Sequence, residues 1–363
     1  MTMLNLALQG GGSHGAFTWG VLDALLAEAS LEFPSISGTS AGAVNAVALA
    51  SGWATATSSG ASPRENARRV LRGVWNEVAN LSPFGRVQRE LLQVLTGCNP
   101  LFAWHAISPL AFNPLEPLLA RHVDFEALRG PGAPRVLVGA TQVRTGRAAI
   151  FSGADLTLQA VLASTCLPQL FPPVSIGGEL YWDGGYSVNP PLAPFLHGFR
   201  GGDVLIVQIN SVRQSTLPGT PQEVYERANE LTFNAGLLSQ IRAVEHINQL
   251  VKLGILPRER QLRMHRIDGG EALARFPQST RSGVDAGLVR ELFALGQESA
   301  VQWLRSDRAA LGHRETLPYA DYADDTWLEF QGLVRARGWQ GAWQRAKNAA
   351  SRVGRGFLAG AGR

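Results

Sequence analysis

Three glycine-framed turns hold the residues whose types and spacing could do chemistry. The first is Gly10-Gly11-Gly12-Ser13-His14-Gly15, the second Gly38-Thr39-Ser40-Ala41-Gly42, and the third Asp183-Gly184-Gly185. A glycine-rich turn between a strand and a helix converges backbone N–H groups on one point, which suits an anion. A serine raised on a tight turn can act as a nucleophile, and a carboxylate near it can take its proton. Together these are the parts that ester hydrolysis needs: an oxyanion site at Gly10, Gly11 and Gly12, a nucleophile at Ser40 and a base at Asp183.

The surrounding elements must place these groups. Residues 33–37 are short enough for a strand and Ala43 to Ala50 reads as a small-residue helix, so Ser40 falls on a strand–turn–helix elbow with Gly38 and Gly42 close about it. The same five residues could also simply cap a helix. Leu4 to Leu8 reads as a buried strand and Ala16 to Ala29 as a helix with apolar Phe17, Val21, Leu25 and Leu26. Gly10, Gly12 and Gly15 also fit a dinucleotide fingerprint. That reading wants an acid ending the second strand, whereas Glu32 precedes the strand-like residues and the serine turn ends them. Asp183 follows a strand-like Tyr181-Trp182, and Gly184 and Gly185 let the chain turn at once. A surface Asp-Gly turn is the competing reading of that triplet.

With these turns in place the chain resembles the bacterial patatin-like phospholipases. The resemblance runs from about residue 4 to about residue 213. It rests on Gly10 to Ala16, Gly38 to Gly42, Ala163-Ser164-Thr165-Cys166-Leu167-Pro168 with Phe171-Pro172-Pro173-Val174, and Asp183-Gly184-Gly185 followed by Asn189-Pro190. It implies an α/β fold, a three-layer sandwich whose mostly parallel central sheet has helices on both faces. It further implies a Ser–Asp dyad of Ser40 and Asp183, an oxyanion hole on the backbone of Gly10, Gly11 and Gly12, and structural support from Gly15, Gly38, Gly42, Gly184 and Gly185. Many members carry Arg or Lys where this chain has His14, which removes a fixed positive charge beside the loop and leaves the backbone donors. The implied activity is hydrolysis of lipid carboxylic esters through a covalent acyl-enzyme. The alternatives are a non-catalytic lipid-binding or regulatory protein on the same fold and a hydrolase of a non-lipid polyester.

A Ser-His-Asp triad is the rival arrangement, since six histidines follow Ser40. A triad histidine needs a carboxylate partner and a place beside the serine. His197 follows Asp183 closely, but in a proline-rich connection with no strand end. His14 sits in the oxyanion turn, where a structural role is expected. No Cys/His cluster or His-Glu-x-x-His occurs, so no metal and no cofactor is expected.

The chain has 363 residues, 45% hydrophobic and 17% charged, enough for a large core. No segment reaches the roughly 18 apolar residues of a membrane span, and no N-terminal stretch reads as a signal peptide. Cys98 and Cys166 suggest no disulfide framework. A cytoplasmic location is expected. The sequence holds no signal for an oligomeric state.

Breaks in pattern divide the chain into a catalytic core over 1–213, a helical extension packed on it over 214–330, and a basic tail over 331–363. Ser62-Pro63-Arg64-Glu65 opens a capped helix. Residues 81–120 carry many large apolar side chains among prolines and read either as helices on the sheet or as a lid that receives an acyl chain. Strands are expected at Arg135 to Thr141, Ala148 to Phe151 and Asp203 to Asn210, and helices at about 222–252 and 284–306. The tail contains seven basic residues and no acid, enough to turn a formal balance of −3 into the +4 of the whole chain. Trp339, Trp343, Ala346, Ala350, Val353 and Phe357 follow helical spacing. Residues 335–358 could therefore contact anionic membrane at its inner face, or dock on the protein itself. No nucleic-acid reading module is present.

Overall fold

Alternating apolar residues at the N-terminus make β1 (Thr2–Leu8), whose Leu4, Leu6 and Leu8 are buried. The chain then forms α1 (Gly15–Ala27), β2 (Leu31–Glu32), β3 (Ser35–Thr39), α2 (Ala41–Ala54), α3 (Pro63–Asn80), α4 (Leu115–His122), β4 (Arg135–Gln142), β5 (Ala148–Phe151) and α5 (Leu158–Ser164). It continues with β6 (Val174–Ile176), β7 (Glu179–Asp183), α6 (Ala193–His197), β8 (Gly202–Gln208), α7 (Pro221–Lys252), β9 (Leu262–Asp268), α8 (Gly270–Ala274) and α9 (Ala286–Ser306). This computed structural model describes residues 1–56, 60–81, 113–168, 170–197, 202–212, 217–276, 280 and 285–322. Met1–Leu317 form one unit and Pro318–Arg363 a second, whose described part holds a 3₁₀ turn at Tyr319–Asp321.

The strands form one sheet in the order β6-β7-β4-β3-β1-β8-β9, with β2 on β1 and β5 on β4. Strands β4, β3, β1, β8 and β9 are parallel to their neighbours along this run, and β7 and β6 add an antiparallel edge. Helices flank the sheet, as expected of the α/β class. Leu205 and Val207 join the main apolar cluster with α1, α2, α3 and α9, while Val204 and Ile206 are buried outside that cluster. Successive strand residues face opposite ways, so Val204 and Ile206 line the other face, and Leu237, Ile241 and Val244 of α7 are likewise buried outside that cluster.

Helix α1 is buried around most of its girth, including Thr18 and Asp23 as well as its apolar residues. A helix covered on all sides needs partners on all sides, and α9 supplies one of them. A Cβ on Gly20 would stand 2.0 Å from Phe293 O, and one on Gly296 would stand 2.0 Å from Phe17 O, so two glycines let these helices touch through their backbones. Asp23 accepts a two-pronged bond from Arg68 of α3 at 2.8 Å and a third from Gln297 of α9. Helix α3 begins as expected, with Ser62 accepting from the Glu65 N–H, and it buries Ala67, Leu71, Val74, Trp75 and Val78.

The helical reading of residues 214–330 needs one correction, because Leu262–Asp268 is a strand, β9, paired in parallel with β8. Its polar residues obscured it. His265 is fully buried and meets Asp203 at 2.9 Å, and Arg263 grips the same carboxylate at 2.9 and 3.0 Å. The His265 and Arg263 side chains and the Gly312 N–H hold the Asp203 carboxyl down at about 2 against the pull of burial. Of the expected lid over 81–120, residues 82–112 lie outside the described residues, as do Cys98 and His105. The rest ends in α4, whose Leu118 and Leu119 join the core. The basic tail over 331–363 also lies outside them.

Candidate active site

Register brings the three turns to one level. Leu8 of β1 pairs with Gly38 of β3 and with Val207 of β8, Thr39 of β3 with Gly139 of β4, and Ala140 of β4 with Asp183 of β7. Parallel strands feed their helices through loops at the carboxyl ends, where ligands of such sheets bind. The Gly10 loop and Ser40 leave from adjacent strands there, and Asp183 arrives at the same height across β4.

Ser40 ends β3 and precedes α2, with φ 54° and ψ −126°. Among the described residues it is the one non-glycine residue with positive φ. Such a backbone costs of the order of 1–3 kcal/mol and must be held by its surroundings. The hold is visible. The Ser40 N–H donates to Ser164 Oγ at 2.9 Å, and that hydroxyl donates to Gly139 O at 2.6 Å. Thr39 Oγ1 donates to Val188 O at 2.7 Å, tying the elbow to the chain after Asp183. Gly38 and Gly42 face each other closely inside the turn. The Ser40 side chain caps nothing in α2 and is 8% exposed.

Asp183 is completely buried. Its N–H donates to Cys166 O at 2.7 Å and its carbonyl accepts from Thr141 Oγ1 at 2.8 Å, so the backbone is pinned on both sides. Oδ1 accepts from the Gly185 N–H at 2.7 Å. Burial pushes the carboxyl from 3.8 up to about 7, and the Gly185 N–H and the Ser40 hydroxyl both pull it back down. Oδ2 has no well-aligned hydrogen-bond partner among the described residues. The Ser40 hydroxyl thus lies within electrostatic reach of the acid, short of a tight bond. A carboxylate whose charged form is disfavoured by desolvation is a stronger base than an exposed one.

Gly10 lies hard against the serine, for a Cβ there would stand 2.7 Å from Ser40 Cβ and 2.5 Å from Thr39 O. The expectation that Gly10, Gly11 and Gly12 all present N–H donors is corrected at Gly10. Its N–H is committed to Asn189 Oδ1 at 2.7 Å, so it has no proton left to offer an oxyanion. The Gly11 and Gly12 amides donate to no acceptor among the described residues, and Gly12, at φ +60°, is exposed. Gly15 starts α1 against Ala41, and Gly184 and Gly185 form the 3₁₀ turn after Asp183.

His14 is buried, with Nε2 2.8 Å from Thr280 Oγ1 and its ring edge-on to Phe276. Ser13 Oγ donates to Thr280 O at 2.7 Å, so the loop is fastened by Phe276 and Thr280. Among the described residues no histidine bonds Ser40 or Asp183: His122 meets Glu77 and His265 meets Asp203. Burial, followed by the Asp183 charge, pushes the Cys166 thiol up to about 12, which keeps it protonated and weakly nucleophilic. The described residues hold no group of three or more His, Cys, Asp or Glu placed to bind a metal.

Sequence reasoning missed a buried set of carboxamides around the loop: Gln9, Asn189, Asn210 and Asn234. Asn210 Nδ2 donates to Gly10 O at 2.8 Å. Gln9 Oε1 accepts from the N–H groups of Ile209 and Asn210 at 2.9 and 2.8 Å, and Gln9 Nε2 donates to Asn234 Oδ1 at 2.9 Å. Their partners lie about 200 residues apart in the chain, so no local pattern marked them. The available signal was an amide residue one or two positions after each of two adjacent buried strands, Gln9 after β1 and Asn210 after β8.

A family model described as patatin-like phospholipase matches residues 6–196. No curated protein matches the chain. Among solved structures, VipD from Legionella pneumophila is 15% identical with a TM-score of 0.41, over 84% of this chain and 67% of that one. The heterodimeric ExoU-SpcU complex from the type III secretion system of Pseudomonas aeruginosa is 17% identical with a TM-score of 0.27, over 85% and 76%.

Proposed function

Because this chain belongs to the patatin-like phospholipase family, we propose that it hydrolyses lipid carboxylic esters through a Ser40–Asp183 dyad. What carries the reading is the geometry, a completely buried carboxyl at Asp183 set near a serine on a strained elbow beside two open glycine amides, and burial pushes that carboxyl up to about 7. Asp183 takes the Ser40 proton as Oγ attacks the ester carbonyl. The Gly11 and Gly12 N–H groups receive the oxyanion, a contribution often worth about 10²–10³ in rate per donor. Collapse of the tetrahedral species expels the alcohol, which takes the proton back from Asp183. Water, giving a proton to the same carboxylate, then attacks the acyl-serine. The second collapse returns that proton to Ser40 and releases the fatty acid.

The pH dependence tests this assignment. An aspartate base works only when deprotonated, so kcat/KM for a soluble chromogenic ester should climb with pH and level off above an apparent pKa of about 7. An exposed aspartate would place that limb near 4. A profile flat from pH 5 to 9 would exclude Asp183 as the base.

Contact of residues 335–358 with anionic membrane is part of the same proposal. No helix among the described residues is long and apolar enough to cross a membrane, so access to a bilayer would come from the surface. The six basic residues of this stretch, near anionic lipid, are each worth about 1 kcal/mol, an attraction that salt screens. Deleting 330–363 should weaken co-sedimentation with anionic liposomes while sparing soluble-ester hydrolysis. Unchanged liposome binding together with a lower melting temperature would show that the tail is structural instead.

A further inference from the structure

We propose that Asn210 is a positioning residue of the oxyanion site, whose carboxamide holds the Gly10 carbonyl and thereby aims the Gly11 N–H. The proposal rests on the dyad reading above. A trans peptide is planar, and its C=O and the following N–H point in opposite directions. The Gly10 carbonyl and the Gly11 N–H are the two ends of one such plane. Asn210 Nδ2 donates to Gly10 O at 2.8 Å, which turns the Gly11 N–H away from Asn210. The plane begins at Gly10, whose Cα abuts Ser40. A peptide between two glycines can flip at little steric cost, and a flip here would bury the Gly11 donor and expose a carbonyl oxygen to the oxyanion. The Asn210 bond resists that flip.

The surroundings of Asn210 fit such a duty. Its own N–H donates to Gln9 Oε1 at 2.8 Å and its carbonyl accepts from Gln208 Nε2 at 2.7 Å, so the backbone is fixed and the side chain alone is left to act. Asn210 is fully buried, and its Oδ1 has no hydrogen-bond partner among the described residues. Buried polar atoms in native proteins are nearly always paired. The bond to Gly10 O is thus the one hydrogen bond that the Asn210 side chain makes among the described residues. Asn189 takes the Gly10 N–H at 2.7 Å and so fixes the preceding peptide plane in the same way, while its Nδ2 adds only a long bond to Gly10 O at 3.5 Å, which leaves the shorter Asn210 bond as the main hold on that carbonyl.

The experiment compares wild type with Asn210→Ala and Asn210→Asp, counting active sites by fluorophosphonate labelling of Ser40 run to completion. On a soluble short-chain ester, kcat per labelled site should fall about 10- to 100-fold, a fraction of or up to the loss of a whole donor, with KM within about twofold. A trifluoromethyl ketone, whose serine adduct carries the oxyanion, should bind weaker by a similar factor. The acid limb near pH 7 should stay, because Asp183 is untouched. A merely structural role predicts fewer labelled sites and a lower melting temperature with kcat per site unchanged, and that result would overturn the proposal. Should Asn210→Ala fail to fold, the isosteric Asn210→Asp carries the test. Assayed at pH 9, where its carboxyl is ionised, it cannot donate to Gly10 O and adds negative charge beside the oxyanion, so wild-type kcat in that variant at pH 9 would also overturn it. An active wild type that leaves Ser40 unlabelled removes the dyad, and this proposal with it, whereas a labelled wild type with unaffected variants removes this proposal alone.

Discussion

Replacing Ser40 with alanine should lower ester hydrolysis by about a thousandfold or more while leaving the melting temperature within a few degrees of wild type. The size follows from removing the proposed nucleophile of a dyad whose members would act together. The intact fold follows from the bonding pattern. The Ser40 side chain caps no helix, and the bonds that hold the elbow come from its N–H and from Ser164, Thr39 and Gly139, all of which alanine keeps. Labelling by a fluorophosphonate should vanish in the same variant. Retention of more than a few percent of turnover would show that another group attacks the ester. A companion substitution separates strain from chemistry. Ser40→Gly should be equally inactive yet more stable by about 1 kcal/mol, because glycine adopts φ 54° without the cost that a side chain carries there. If Ser40→Gly melts no higher than Ser40→Ala, the elbow is not strained in the sense argued here.

Much of this site was legible in the sequence because each of its turns depends on glycine. Gly10 meets Ser40, Gly38 meets Gly42, and Gly184 meets Gly139, all at distances that no Cβ could share. Residues required by backbone contact leave a mark at a fixed spacing, and a strand and a helix flank each of the first two marks. What was not legible depends on side chains that find partners far along the chain. Gln9, Asn189 and Asn210 read as polar residues near strand ends, and their meaning appears only when β1 and β8 pair and the Asn189 segment folds back. Asn189 lay inside a family motif, but no role could be attached to it. Its capture of the Gly10 N–H removes one of the three donors that the glycine run suggested. Strand β9 was hidden for a related reason. Arg263 and His265 break an apolar pattern, and the partners that take them up, Asp203 for both and Thr316 for the other His265 nitrogen, lie about 50 to 60 residues away. Local pattern identified backbone demands, and non-local pairing decided which polar groups are spent and which are open.

Asp183→Asn should be nearly as inactive as Ser40→Ala, and above neutral pH it should also be more stable than wild type. The amide keeps the shape and the acceptor for the Gly185 N–H but cannot take a proton, so activity should fall by about a thousandfold or more. The stability effect has a definite sign. The carboxyl is held at about 7 in the folded protein against 3.8 for the free group, so the fold prefers the neutral acid. Below about pH 4 both folded and unfolded chains carry the proton and the acid costs nothing. As pH climbs from 4 to 7 the unfolded chain releases its proton while the folded chain does not, and stability is lost progressively. Above 7 the loss is complete, of the order of 4 kcal/mol from a displacement of this size. Asparagine stays neutral throughout, so its melting temperature should match wild type near pH 4 and exceed it by several degrees at pH 8. A gap that does not change between pH 4 and pH 8 would mean that Asp183 is already ionised at acid pH, and the buried base would then be wrong. A gap that opens with pH, in a variant that no longer turns over, would tie the instability of this acid to its use. In the proposed dyad, the desolvation that makes Asp183 expensive to ionise is also what would make its carboxylate basic enough to deprotonate Ser40 without a histidine between them.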